Sequence, residues 1–339
     1  MRTTQDAPAT ARRWRPSPKT ISIGIALIIT AVLLYISLRG IEWGQVWRTM
    51  SGAKLPYLAV AFAATSGTLF LRAFRWRILL TAEGPIRMRT VFSATAAGYF
   101  GNNFLPARAG ELVRTVMVSS RSGLNNAYVL ATALSERVAD AIALVAISST
   151  ILLTLPQPPG WLSNASRPVA ILGLAAVLII VVLPLLESLF QRILDRVPVP
   201  AALRTKLKAI LEQVLRGIRT FHDVKRLLAF AGVTVVIWLA DALMTVLTGW
   251  AMGLPITLPM AFLLLAGLGL GSAMPSAPGY IGVYQFVGVT VLTPFGIDRA
   301  DAVAFVLVGE VLQYLMVGLW GTLGIVQYRK MKPPVEGAP

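Results

Sequence analysis

Apolar runs of membrane-crossing length recur along this chain, and they restrict its fold more than any other feature. They cover residues 21–38, 55–71, 124–155, 169–186, 230–252 and 302–326. A helix needs about 20 largely apolar residues to cross some 30 Å of hydrocarbon. In lipid every backbone N–H and C=O must be satisfied internally, and strand-length alternation for a barrel is missing, so these runs predict helices. Composition agrees: 56% of residues are hydrophobic and only 14% charged. Soluble domains carry about 25% charged residues. The expected fold class is an all-α integral membrane protein, a polytopic helical bundle.

The formal charge of +16 points to the membrane surface, not to nucleic acid, because the basic residues cluster at the ends of apolar runs. Most of the 31 Lys and Arg fall in 1–19, 72–121, 192–226 and 329–332; Arg39, Arg48, Lys54, Arg167 and Arg299 fall on the other side. By the positive-inside rule both termini are cytoplasmic. The first run follows Arg12, Arg13, Arg15 and Lys19, as a signal peptide would, but Arg39-Gly-Ile-Glu42-Trp43 comes next and no small-residue cleavage site does. An uncleaved first span is expected. The predicted layout is a cytoplasmic basic tail at 1–19, a transmembrane domain over 20–328, and a cytoplasmic tail at 329–339. Within the domain, residues 55–155 and 229–328 form two repeats joined by a basic amphipathic cytoplasmic loop at about 190–228.

Two further apolar stretches, 91–105 and 258–294, are interrupted by glycine and proline. The first ends Asn102-Asn103-Phe104-Leu105-Pro106-Ala107-Arg108-Ala109-Gly110 and the second contains Pro275-Ser276-Ala277-Pro278-Gly279, with Gly282 and Gln285 close behind. Each breaks at proline with glycine four residues later. Each lies between two spans, and by the span count they open from opposite sides. Two re-entrant helical elements in an inverted repeat are therefore expected, with their broken backbone meeting near the midplane. Unwound backbone survives there only against protein or a wet cavity.

Ionisable groups inside spans mark pathways or paired sites. Arg108, Glu111 and Arg114 follow the first break, Glu136, Arg137 and Asp140 lie in the run after it, and Arg72, Arg75 and Arg77 close the second span. Glu136 and Asp140, four residues apart, share one helix face. Arginines aimed into a cavity suit a phosphate group, which guanidinium grips through two oxygens, so Arg108, Arg114 and Arg137 would receive it while Glu136 and Asp140 balance charge or couple to protons. Asn102 and Asn103 would hydrogen-bond the rest of the headgroup. At least one of Arg72, Arg75 and Arg77 is expected to reach for the headgroups. Asp241 and Glu310 read as internal structural partners. With no cysteine and one histidine, His222, no metal centre, no cofactor and no thiol chemistry are expected. Gly-x-Ser-x-Gly, Walker A and His-x-x-x-His patterns are missing, so the chain reads as a transporter and not as an enzyme.

Four blocks, in order, resemble the membrane region of lysylphosphatidylglycerol synthases and the flippase-like UPF0104 group. They are Arg72-Ala-Phe-Arg75-Trp76, then Asn102 through Arg114, then Glu136-Arg137-Val-Ala-Asp140, then Pro275 through Gln285. Many relatives carry Gly where this chain has Tyr280 and Glu where it has Gln285. The resemblance implies a lipid translocase that moves an aminoacylated, glycosylated or polyprenyl-linked lipid between leaflets of the cytoplasmic (inner) membrane. It also implies that aminoacyl transfer belongs to a soluble C-terminal domain, which is not expected here because the sequence ends at Pro339. Phosphate-bearing membrane lipids are the expected partners, with a homo-oligomer or a lipid-modifying enzyme as protein partner. The alternatives are a secondary transporter of a small anionic solute and a non-transporting partner of a lipid-modifying enzyme.

Overall fold

The structure, a computed structural model, describes residues 18–105, 109–154, 201–272 and 276–331, together with 171, 192 and 274. All regular structure among them is helical. Most of the expected span at 169–186 and of both basic tails, and the break residues Pro106, Arg108 and Pro275, lie outside the described residues, as does the side chain of Pro278.

α1 (Pro18–Leu38) is followed, through a bend of 86°, by the short α2 (Trp43–Ser51). Helix α2 was not expected from the sequence. Its Trp43 and Trp47 are exposed, while Gln45 and Thr49 donate to the carboxylate of Asp301 at 3.1 and 2.6 Å. α3 (Leu55–Leu80) opens on a proline in its first turn, where the missing N–H is not needed. It continues past the expected end at 71, so Arg72, Arg75 and Arg77 lie within the helix. Arg75 needs no headgroup because two carboxylates of one neighbouring helix, Glu136 and Asp140, meet it inside the bundle. α8 (Val224–Ala251) packs antiparallel along α3, and its N-cap Asp223 accepts from the amides of Lys225 and Arg226. α11 (Arg299–Lys330) starts at the N-cap Asp298 and ends with Arg329 and Lys330, cations that suit a helix C-terminus.

Among the described residues, α3, α8 and α11 are each long and apolar enough to cross a membrane, and α1 with α2 forms a fourth candidate. Their outward faces are apolar: Val235, Val236, Leu239 and Leu243 on α8, and Val311, Leu315, Leu319 and Leu323 on α11, are exposed. Such contiguous apolar surface has no place in water.

α4 (Met88–Phe104) and α5 (Gly110–Ser122) form an antiparallel hairpin. Helix α4 runs unbroken through Gly98 and Gly101, which the sequence had suggested as interruptions. Their role is close approach: a Cβ on Gly101 would meet the Cα of Gly110 at 2.9 Å, and one on Gly98 would crowd Arg114. Both open ends of this hairpin lie at the C-terminal end of α11, where Ser93 meets Gln327 and Ser120 meets Tyr328. The second hairpin comprises α9 (Leu258–Gly271) and α10 (Val283–Leu292). It opens at the other end of α11, where Leu292 shares a core with Ile297, Ala300 and Ala302. Both tips reach Tyr314, halfway along α11: its ring lies 6.0 Å from that of Phe104, and its hydroxyl donates to the carbonyl of Gly279 at 2.9 Å.

The remaining described helices are α6 (Asn126–Thr154), which packs against α3 and α5, and α7 (Ala201–Arg219), which packs against α6. The latter falls in the basic stretch expected at 190–228.

Candidate functional site

Two polar assemblies occupy the interior. The first ties α3, α5 and α6 together. Arg75 grips Asp140 through two oxygens, at 2.6 and 2.9 Å, and reaches Glu136 at 3.3 Å and Thr234 at 3.2 Å. Arg114 donates to Glu111 at 2.6 Å, Glu136 at 2.9 Å and the carbonyl of Ala133 at 3.2 Å. Arg137 completes the group with a 2.9 Å bond to Glu111. Three guanidinium groups and three carboxylates leave the assembly formally neutral. Arg75, Arg114 and Glu136 are each at most 3% exposed, whereas the Arg137 side chain is 40% exposed.

This arrangement follows from local sequence. Helical spacing puts Glu136 and Asp140 on one face of α6, and the same spacing aligns Glu111 and Arg114 on α5. Trp76 lies 4.4 Å from the Arg114 guanidinium carbon, and Phe230 lies 4.9 Å from that of Arg75. These rings cover the cations where no further acceptor stands. Asn102 accepts from the amide of Gly110 at 3.0 Å, which closes the hairpin turn, and donates weakly to Glu111 at 3.4 Å. Asn103 donates to the carbonyl of Tyr99 at 2.9 Å.

The second assembly surrounds a cavity of about 300 Å³ between α3, α8, α9 and α11. Tyr99 of α4 and Tyr284 of α10 bring both hairpins to its wall. Its acidic and basic groups are Arg72, Asp241 and Glu310. Arg72 and Asp241 form an ion pair, and the guanidinium carbon lies 6.0 Å from the Tyr99 ring and 5.6 Å from the Trp238 ring. Arg137 lies 5.5 Å from the same Tyr99 ring. One aromatic side chain thus contacts both the cavity arginine and the partly exposed arginine of the neutral assembly. Thr65, Thr68, Thr245 and Gln313 add polar atoms to a mostly apolar lining.

The structure therefore divides the expected site residues. Arg75, Glu111, Arg114, Glu136, Arg137 and Asp140 come together, but in a network whose charges bind one another; Arg72 alone of them lines the cavity. Asp241 and Glu310, read from the sequence as structural partners, stand on the cavity wall. Their position within apolar runs was the available signal; which faces converge depends on packing. The break residues act through backbone geometry. A Cβ on Gly110 would collide with the carbonyl oxygen of Gly98. Gly279 and Gly282 have φ of 77° and 85°, values that glycine adopts without penalty. Gln285 accepts from the amide of Gly282 at 2.7 Å and donates to Glu310 at 2.7 Å. Tyr280 has φ 64° and stacks on Tyr284 with ring centroids 5.0 Å apart. Among the described residues no group of three or more His, Cys, Asp or Glu is placed to hold a metal ion.

Comparison with known proteins extends this picture. The chain is 24% identical over 335 residues to a UPF0104 membrane protein of Pyrococcus horikoshii, covering 91% of this chain and 97% of that one. It is 23% identical over 334 residues to a UPF0104 membrane protein of Methanothermobacter thermautotrophicus, covering 91% and 94%. No solved structure matches it significantly. The family described as the lysylphosphatidylglycerol synthase TM region matches residues 21–321. With that match over nearly the whole chain, this multi-pass helical membrane protein belongs to the lysylphosphatidylglycerol synthase TM-region family.

Proposed function

We propose that this chain moves a lipid with a phosphate-bearing headgroup between the leaflets of the cytoplasmic membrane, with both termini on the cytoplasmic side. On this reading the two hairpins are re-entrant elements of an inverted repeat, and the headgroup occupies the cavity beside their tips while its tails stay in the bilayer. The observation that carries the reading is that cavity, about 300 Å³ in volume, with Arg72, Asp241 and Glu310 on a wall otherwise largely apolar. Charges at membrane depth are expensive and favour a polar cargo as their reason.

Arg72 is the proposed phosphate receptor. An unpaired guanidinium in low dielectric is costly, so Arg72 always holds a partner: Asp241 when the cavity is empty and phosphate when it is loaded. Tyr99 and Trp238 keep the cation in place during the exchange. Arg137, beside the same Tyr99 ring and partly exposed, would hand the headgroup on. Arg75 and Arg114 brace α3, α5 and α6, because their donors are already engaged. Asn102 shapes the first hairpin turn.

The test is translocation of a fluorescent phosphatidylglycerol analogue in proteoliposomes, read by leaflet-selective quenching. Arg72→Lys keeps the charge but loses the planar two-oxygen grip. Loss of one or two charge-assisted hydrogen bonds should slow translocation about tenfold or more. Undiminished translocation would remove Arg72 from the mechanism. Uptake of inorganic phosphate without lipid movement would favour the small-anion carrier instead.

A further inference from the structure

Glu310 is the ionisable group of the cavity that the phosphate-exchange scheme leaves without a task. It sits 9% exposed on α11, one helical turn from Tyr314, the residue both tips touch. Its Oε2 accepts from the Gln285 amide at 2.7 Å. The direction of that bond is fixed, because the other end of the same amide accepts from the backbone N–H of Gly282. Its Oε1 is enclosed and has no hydrogen-bond partner. The titratable and charged groups facing it are Tyr314 on its own helix, Tyr280 and Tyr284 of the second hairpin, and Tyr99, Arg72 and Asp241 around the cavity. Arg72 is already paired with Asp241. Among the described residues no cation forms a salt bridge with Glu310.

An enclosed carboxylate with one unmatched oxygen needs a charge partner. A metal cation would need several oxygen ligands in a cage, and one carboxylate beside one amide is not a cage. A headgroup ammonium cannot reach an oxygen without accessible surface. A proton can. We propose that Glu310 is the proton-carrying group of this cavity: Oε1 takes a proton from water on one side of the membrane and releases it to water on the other. On loading, an O–H bond of hydronium breaks as one forms on Oε1; on release, the O–H bond at Oε1 breaks as one forms on water. Because Glu310 holds Gln285, and Gln285 holds the Gly282 turn, loading and unloading act directly on the tip of the second hairpin.

This inference rests on the translocation reading for its purpose but not for its chemistry, so two measurements separate them. The first is infrared difference spectroscopy of the full chain in lipid nanodiscs across a pH titration. Beside the bands of the other carboxyl groups, the natural protein should show one reversible carboxylic-acid C=O component that Glu310→Gln, which keeps shape and hydrogen-bond capacity, lacks. Identical titrating bands in the two proteins overturn the proposal. The second is lipid distribution in proteoliposomes under an imposed pH gradient. With one proton per lipid, a gradient of one pH unit should bias the distribution up to about tenfold and reverse with the gradient. Glu310→Gln should lose that bias. Equal bias in both proteins overturns the coupling while translocation stands. A titrating band with no lipid movement in the natural protein overturns translocation while the proton site stands. Glu310→Asp, which keeps the acid, should restore the band if Glu310→Gln is compromised in folding; failure to do so in a folded protein counts against the site.

Discussion

Arg75 shows how a cation is kept inside an apolar bundle. Asp140 and Glu136 meet its donors, Thr234 takes another bond, and Phe230 covers its face. Removing one partner of such a buried pair strands the others, which typically costs about 3–5 kcal/mol. Arg75→Met should therefore lower thermal stability sharply in detergent. Arg216→Ala, which breaks an exposed pair with Glu212, should leave the melting temperature unchanged. Gln285→Leu should cost about 1–3 kcal/mol for each of the two groups it abandons, the Gly282 amide and the Glu310 carboxylate, again read by thermal denaturation. The sequence made the residue types and the i,i+4 face of Glu136 and Asp140 legible. It could not show that three arginines and three carboxylates would neutralise one another, because their partners come from α3, α5 and α6 across large separations in the chain.

At the scale of elements, the breaks were legible and the glycines around them less so. Proline and glycine marked where α4 and α9 stop. Gly98 and Gly101, however, are notches that let α5 approach, which becomes visible only when both helices are in place. Gly110→Ala should destabilise by at least about 1–3 kcal/mol, the usual cost of overpacking, since its methyl would meet the Gly98 carbonyl oxygen and the Asn102 side chain that closes the turn. Gly318→Ala, with open space around it, should be neutral in the same melting assay. Tyr280 supplies a second element-scale expectation. Its left-handed backbone is costly for side chains branched at Cβ, so Tyr280→Val should destabilise by about 1–3 kcal/mol. Tyr280→Gly should lie nearer the natural protein, relieving the backbone while losing the stack on Tyr284. Helix α2 escaped notice because nine residues with two tryptophans carry too short a pattern to separate from a loop.

At the scale of the molecule, the ends of α11 define two faces, each holding the mouth of one hairpin. Because the chain contains no cysteine, single cysteines can report them: Ser51→Cys and Asn126→Cys should react with an impermeant thiol reagent from opposite sides. Labelling from one side would contradict the proposed topology. The two hairpins also differ in how they are fastened. The first is joined to α6 by the ion pairs of Glu111 and Arg114. The second contains no charged residue between 258 and 292, and its tip is held by the Ala277 amide on Thr30, by Tyr314 and by Gln285. Separating ion pairs in low dielectric demands more than exchanging hydrogen bonds, of which only the one from Gln285 to Glu310 involves an ionisable group. On the proposed transport reading the first hairpin would be a stator and the second a shutter: deuterium should enter the amides of α10 well before those of α5, and a cycle of opening would swing on one side only.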